Sequence, residues 1–498
     1  MWLLFLILSP SLALFTREPP PPLVTSRATV QERWLNVDLN HFDASNTDTF
    51  PMRYYYNDEF VQVNNSNIVI FVGGEWAIHP GWVSAGLAYE LGNRTSSAVI
   101  YTEHRYYGQT RPSSTTSLAE LRFLNVDQAL GDLAQFIEHV KSDAFEDGKF
   151  RNASVGLVGC SYAGSMATWM RLAYPHLVDV AFSDSGPLYA QEDFPEYLEV
   201  ITESLVRQGS QACVDTISLS ISTMVELLKS DAGAREVSSL FNTCTEIRPN
   251  VSLDISTFFW YGITETFAEL VQYADPGDIT AACQTITNSA ISTVPMERLA
   301  AWVTNRTWTQ PCIEPRYEEV VRKHTNLSYD APDATMRLWT YQTCVEYGWY
   351  QTTSSTRQPF LSTVPLEYFH QMCKDFFSND TNVELLRSGI KRTNLLFGGM
   401  RLPDHVLSVA GGIDPWSPMG PNITHSTPLA PVYFIPDASH CMAVGSTAPR
   451  DVELLREAQQ SILDNMTLKM TGQPEVSSAF TFMITPILLL ANSLIIFV

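Results

Sequence analysis

Apolar and polar positions alternate, or gather into short blocks, through the first 190 residues. WLNVDLNHFD, FPMRYYYN and NIVIFVGG, between residues 34 and 74, read as strands divided by polar turns. The run from Ile68 to Val72 has no polar member, as expected of a strand buried on both faces. SAVIYTEH, 97–104, predicts a second such strand, and GWVSAGLAYELG between them predicts a helix ended by Gly92. In VDQALGDLAQFIEHVKSD, 126–143, Ala129, Leu130, Leu133, Phe136, Ile137 and Val140 recur at helical spacing, which marks an amphipathic crossover helix. SVGLVGCSYAGSMATWMRLAYP then takes an apolar strand through a tight small-residue turn into another helix. Strand, helix, strand, turn and helix in this order predict a parallel α/β sheet.

Beyond residue 190 the pattern becomes helical, with cysteines among EYLEVITESLVRQ, VELLKSDAGAREVSSLF, GITETFAELVQYA and DITAACQTITNSAIST. Strand-like runs return at HVLSVAGGID, 405–414, and PVYFIPDASH, 431–440. The expected organisation is an α/β domain over 30–190 and 401–470, interrupted by a helical cap over 191–400. A signal peptide over 1–15 and a hydrophobic tail over 479–498 flank it.

Composition narrows the classes. The chain of 498 residues carries a formal charge of −22, yet 45% of it is hydrophobic, with 25 Phe, 20 Tyr and 11 Trp. Disorder requires the opposite balance, and a nucleic-acid binder would need a basic stripe that is absent from this sequence. MWLLFLILSPSLALF resembles a secretory signal, with cleavage expected soon after Ala13. Asn64, Asn93, Asn152, Asn250, Asn305, Asn326, Asn379, Asn422 and Asn465 all begin glycosylation sequons. Export into an oxidising compartment would let Cys213, Cys244, Cys283, Cys312, Cys344 and Cys373 pair, with the connectivity left open. The uncharged tail from Ala479 to Val498 has the length of a span but no basic flank after it, so a lipid-anchor signal is preferred to a transmembrane anchor.

The chemistry-bearing positions sit at the predicted strand ends. Small residues Gly159, Ala163 and Gly164 around Ser161 fit a nucleophile elbow, although the last glycine falls one place later than in G-x-S-x-G. An acid and then a histidine should follow, each after a strand; Asp414 in GGIDPW and His440 in DASH occupy those stations. In this reading His440 is the general base, and Asp414 fixes its tautomer and stabilises the imidazolium. Asp437 is the rival acid, read as a loop residue because it lies so close to His440 in sequence. An oxyanion site needs two donors; the Tyr162 N–H and an N–H from Gly73 or Gly74 are the candidates. Glu75 is assigned either to a substrate amine or to packing against Arg105. Cys160 and Cys441 flank the nucleophile and base, as a disulfide or as two buried thiols. His79, His104, His370, His405 and His425 are read as structural or surface residues. No compact ligand set points to a metal, and no cofactor is expected.

At these residues the chain resembles the serine exopeptidase family that contains lysosomal Pro-X carboxypeptidase, dipeptidyl peptidase II and thymus-specific serine protease. The resembling segments are LNHFD, FVGGE, YTEHRYYGQTRP, VDQALGDLAQFI, GCSYAGSMATWMRLAYP, TYQTCVEYGWYQTTSS, GGIDPWSPMG and SHCMA. The resemblance implies an α/β-hydrolase fold whose helical, disulfide-containing cap is inserted between nucleophile and acid, with Ser161, Asp414 and His440 as the triad. It also implies peptide substrates cut next to proline, either one residue from a C-terminus or a dipeptide from an N-terminus, with Trp416 near an apolar proline pocket. Cys160 stands where the family often has glycine, and Ser417 where it often has histidine after DPW; both bear on the pocket rather than on the triad. A carboxylesterase or lipase, and a noncatalytic cell-surface binding protein on a hydrolase scaffold, are the competing classes. The expected location is extracellular or at the cell surface, with the lysosome as alternative; homodimerisation is left open.

Overall fold

In the computed structural model the described residues are 18–20, 30–62, 66–306, 311–448 and 451–472. The expected signal peptide, the hydrophobic tail and Asn64 lie outside them. Among the described residues ten strands form: β1 (Gln31–Asp38), β2 (Thr49–Asn57), β3 (Asn67–Val72), β4 (Ser97–Thr102), β5 (Val155–Cys160), β6 (Val180–Asp184), β7 (Gln191–Asp193), β8 (Gly348–Tyr350), β9 (Val406–Gly411) and β10 (Val432–Ile435). Eight build one sheet in the order β1-β2-β4-β3-β5-β6-β9-β10. The β1-β2 and β2-β4 pairs are antiparallel and all later pairs are parallel.

The period of two in the apolar strands divides the core. Ile68, Ile70 and Val72 of β3 pack with Leu133, Phe136 and Ile137 of helix Val126–Val140 and with Met166, Trp169 and Met170 of helix Tyr162–Ala173. Val69 and Phe71 face the other way, onto Leu87 and Leu91 of helix Leu87–Thr95 and Ile462 and Met466 of helix Glu453–Thr471. Helices therefore cover both faces of the parallel sheet, as its buried strands require. The Asn125 side chain caps helix Val126–Val140 by accepting the Gln128 N–H.

The helix after β3 runs past Gly92 to Thr95 and ends with Ser96 in a left-handed conformation. Gly92 is small for another reason: a Cβ there would lie 2.3 Å from the Val99 side chain on β4.

Between β6 and β9 the chain builds the cap, from helices beginning at Glu196–Gln208 and ending at Val383–Phe397. Two π-helical turns, Phe258–Thr264 and Thr343–Tyr347, interrupt its helices, and β7 pairs with β8 in a short parallel ribbon. This is an α/β-hydrolase fold with a large helical cap between the elbow strand and the last two strands. Cap side chains join the core of one sheet face directly, including Phe194, Tyr197, Phe267 and Tyr347.

All eight cysteines are paired: Cys160–Cys441, Cys213–Cys283, Cys244–Cys312 and Cys344–Cys373. Three bridges lie within the cap, and the fourth joins the elbow to the histidine loop. Such a set belongs to an oxidising compartment. Among the described residues no helix is long and apolar enough to cross a membrane.

Candidate active site

Ser161 follows β5 directly and adopts φ 56°, ψ −134°, a strained conformation for a residue with a side chain. Its N–H is held by the Asp184 carbonyl at 2.9 Å. The turn is so tight that a Cβ at Gly159 would lie 2.2 Å from the Ala163 carbonyl oxygen. Only the smallest side chain lets the strand and the following helix approach this closely. β3 runs parallel to β5, with Phe71 opposite Val158, so the loop carrying Gly73 and Gly74 emerges at the same sheet edge as Ser161.

Asp414 and His440 arrive on the loops after β9 and β10, both buried. The His440 Nδ1–H donates to Asp414 Oδ1 at 2.8 Å, and the same oxygen accepts the Trp416 backbone N–H at 3.0 Å. This fixes the imidazole with Nε2 as its unprotonated nitrogen. Nε2 is buried and has no hydrogen-bond partner among the described residues, so the Ser161 hydroxyl and His440 are not hydrogen-bonded here. Catalytic hydrogen bonds often tighten only when substrate is bound.

The Cys160–Cys441 bridge, with Cα atoms 5.6 Å apart, ties together the residue before Ser161 and the residue after His440. Further contacts pin the same loop. Ser185 Oγ accepts the Cys441 N–H, and Asp184 Oδ2 accepts the N–H groups of Ala443 and Val444 at 2.7 and 3.0 Å. From the cap, the Gln272 carbonyl accepts the His440 N–H, and the Ala274 carbonyl accepts the Ser439 hydroxyl. Burial pushes the Asp184 carboxyl up to about 7.

Asp437, the rival acid, is half exposed and pairs with Arg207 of the cap at 2.7 Å. Glu75 is buried with Oε2 unpartnered, and desolvation raises its pKa to about 8. The packing of Glu75 against Arg105 considered from sequence does not form as an ion pair. All five Arg105 N–H groups are taken by Asp132 and by the carbonyls of Asp38, Leu39 and Phe123.

Tyr162 turns its ring away from the sheet edge toward the cap. Its hydroxyl lies 3.1 Å from His104 Nε2 and accepts from Gln342 Nε2 at 3.1 Å, while Gln342 Oε1 accepts from the Tyr107 hydroxyl. Burial lowers the His104 pKa to about 4, so this imidazole is neutral and accepts from Tyr162. His104 is thus a structural residue, but it stands directly behind the elbow and connects the HRYYG segment to the cap.

The cap also supplies residues that sequence reasoning did not single out. Gln272 Oε1 accepts from both the Tyr197 hydroxyl and the Trp416 indole N–H. The Trp416 ring lies 6.4 Å from His440 and meets Trp349 edge-on at 5.6 Å. Trp339, Trp349, Tyr350, Phe369, Trp416 and Glu265 line a cavity that reaches the Asp414–His440 pair only through Trp416. The sequence signal for part of this wall was the TYQTCVEYGWYQTTSS segment, which holds Trp349 and Tyr350. Nothing comparable marked Gln272 or Glu265. Among the described residues no cluster of ligating side chains could hold a metal ion.

The side chains of Asn93, Asn152, Asn250, Asn305, Asn326, Asn379, Asn422 and Asn465 are all exposed, as a glycan would require.

The chain is similar to several known proteins. The mouse thymus-specific serine protease is 30% identical over 471 residues, covering 87% of this chain and 86% of its own. The mouse lysosomal Pro-X carboxypeptidase is 24% identical over 413 residues, covering 80% of each chain. Among solved structures, a thermostable carboxylesterase from a metagenomic library matches at 11% identity and a TM-score of 0.34, covering 91% of both chains. The family described as serine carboxypeptidase S28 matches residues 37–462. With the family match running over most of its length and a relative 30% identical across 87% of it, the chain belongs to the serine carboxypeptidase S28 family.

Proposed function

We propose that the protein is a serine exopeptidase that cleaves peptide bonds next to proline through an acyl-enzyme on Ser161. The observation that carries this reading is the buried Asp414–His440 pair with its free Nε2, tethered to the elbow through Cys160–Cys441.

The Ser161 hydroxyl attacks the scissile carbonyl carbon as His440 Nε2 takes its proton, forming a tetrahedral oxyanion. The imidazolium, stabilised by Asp414, then gives that proton to the leaving amine as the C–N bond breaks, which leaves an ester on Ser161. Water enters by the same route, with His440 again as base, and releases the acid. The Tyr162 N–H and an N–H of Gly73 or Gly74 receive the oxyanion; one such donor contributes about 3 kcal/mol. The wall around Trp416 offers an apolar face for the proline ring, and the cap restricts entry to chain ends. Glu75, buried and protonated at neutral pH, serves this site as a neutral hydrogen-bonding group near Tyr162.

The relatives and the four disulfides support routing through the secretory pathway, to the lysosome or the cell surface, with the exposed sequons glycosylated. The test is a pair of fluorogenic peptide sets, one with a C-terminal Pro-X and one with an N-terminal X-Pro. Wild-type protein should cleave one set, and Ser161→Ala should abolish cleavage while leaving the unfolding midpoint in place. Undiminished activity of Ser161→Ala would remove the assigned nucleophile.

A further inference from the structure

The cavity beside Trp416 is lined mainly by aromatic side chains, with Thr340, Thr343 and Gln351 among them, and it contains one carboxyl. Glu265 follows the π-helical turn Phe258–Thr264 directly, on helix Glu265–Gln272, whose last residue is the Gln272 that holds Trp416 and the His440 loop. The π-turn sets the facing of this helix, because one extra residue in a turn rotates everything after it. Glu265 is only 4% exposed and lines the cavity with Trp260, Trp339, Trp349, Phe369 and Trp416. No side-chain hydrogen bond or ion pair to it occurs among the described residues. Its charged neighbours, Glu269 and Asp333, are also acidic, and Glu269 faces Arg306.

A carboxyl with no cation, buried among tryptophans, is costly to ionise and adds nothing to packing that a Gln or Met would not supply. Burial accordingly pushes it well up from the ordinary carboxylate range. A ligand bringing a positive charge would remove that penalty, and the aromatic faces around it would add cation–π attraction. Trp416 on the cavity wall also donates its backbone N–H to Asp414, and its ring lies 6.4 Å from that of His440, so the cavity holding Glu265 and the Asp414–His440 pair share this residue.

We propose that Glu265 is the specificity residue that grips a primary ammonium of the substrate, namely the free N-terminus of a peptide whose proline lies against Trp416. This rests on the exopeptidase reading above and deepens it: the chain end selected is the amino end, and the acyl group released is a short N-terminal fragment. Cap residues that reach only the first residues of a peptide would then explain why internal bonds are excluded.

Two measurements separate the anchor from the chemistry. In the Ser161→Ala background, titration calorimetry would compare Ala-Pro-amide with acetyl-Ala-Pro-amide. The free amine should bind more tightly, and Glu265→Gln should weaken it about thirtyfold while leaving the acetylated form unchanged, the size expected for losing one partner of a buried charge pair. Equal binding of the two ligands, or unchanged binding in Glu265→Gln, would overturn the anchor even if the protein is a peptidase. The acetylation arm needs no substitution at Glu265 and so does not depend on how that variant folds. Turnover of Ala-Pro, acetyl-Ala-Pro and acetyl-Lys-Pro aminocoumarin amides by the otherwise wild-type protein then tests the reading beneath it. The expected loss in Glu265→Gln is in KM with kcat retained, confined to substrates with an ammonium. Recovery with acetyl-Lys-Pro would assign the ammonium to a side chain rather than to the N-terminus, against the chain-end selection. Retained calorimetric discrimination with no turnover of any prolyl substrate would sink the exopeptidase reading while leaving the anchor.

Discussion

Replacing both Cys160 and Cys441 by alanine separates two roles of the bridge, because its contributions to stability and to site geometry differ in size. The bridge closes a segment of 281 residues. In the chain-entropy treatment, a loop of that length destabilises the unfolded chain by about 5.5 kcal/mol at 25 °C. The cap bridges Cys213–Cys283 and Cys344–Cys373 take separations of 70 and 29 residues out of the closed path. The dependence is logarithmic, so this lowers the figure by only about 0.4 kcal/mol. Catalytic geometry has more support. With the bridge gone, the His440 loop keeps the Ser185 hydroxyl, the Asp184 carboxyl, and the Gln272 and Ala274 carbonyls. The expected result is a urea midpoint shifted far down, with kcat on a prolyl substrate reduced by no more than about tenfold at temperatures where the variant is folded. Unfolding curves and initial rates on the same preparation provide both numbers. A kcat reduced by more than about a thousandfold at an unchanged midpoint would refute the reasoning, since the bridge itself would then be the device that sets the Ser161–His440 approach.

Asp414→Asn should preserve the fold and KM but lower kcat by about ten-thousandfold, because the amide favours the wrong histidine tautomer; a loss under tenfold would remove Asp414 from its assigned role. Gly159→Ala should abolish soluble expression, since the new methyl meets the Ala163 carbonyl at 2.2 Å; a folded, active Ala variant would contradict the close packing at the elbow. Stability should fall as pH rises from 6.5 to 8. Burial raises Asp184 to about 7 and Glu75 and Glu346 to about 8, so the folded state holds protons that the unfolded state has already released. Each still-protonated group contributes at most about 1.4 kcal/mol per pH unit. The buried imidazoles of His104 and His324, both lowered by burial, act in the opposite direction, an effect that fades as pH rises past 6.5. Thermal midpoints that increase across 6.5 to 8 would contradict this sign.

The strands of the sheet were legible because their burial is written in short local runs: Ile68–Val72, Ser97–Thr102 and Val406–Gly411 lie where the apolar blocks place them. Ser161, Asp414 and His440 each fall just past such a run, which is what made them candidates. What was not legible depends on partners far away in sequence. Gly92 looked like a helix stop, but its smallness answers Val99 on the neighbouring strand. Cysteine pairing follows from how cap helices pack, which spacing alone does not encode. Gln272 was indistinguishable from any helical glutamine until the fold set it against Trp416, Tyr197 and the His440 loop. Glu265 faces the cavity by virtue of a π-turn, and a reading based on a period of 3.6 cannot register that extra residue.

The pairing of β6 with β9 sets Ala181 opposite Val406, so two neighbouring strands of one sheet are separated by the whole cap. A growing chain emerging from a ribosome would hold β6 with an unpaired edge until more than two hundred further residues had been made, and β10 and the final helix come later still. Closure of so long a loop makes the sheet slow to complete. During that interval the edge is open to pairing with other chains. The cap, with its own bridges, lies wholly within that loop and shortens it as it forms. Its disulfides cut the free length of that loop, so less chain entropy opposes the pairing of β9 with β6 once β9 has been made.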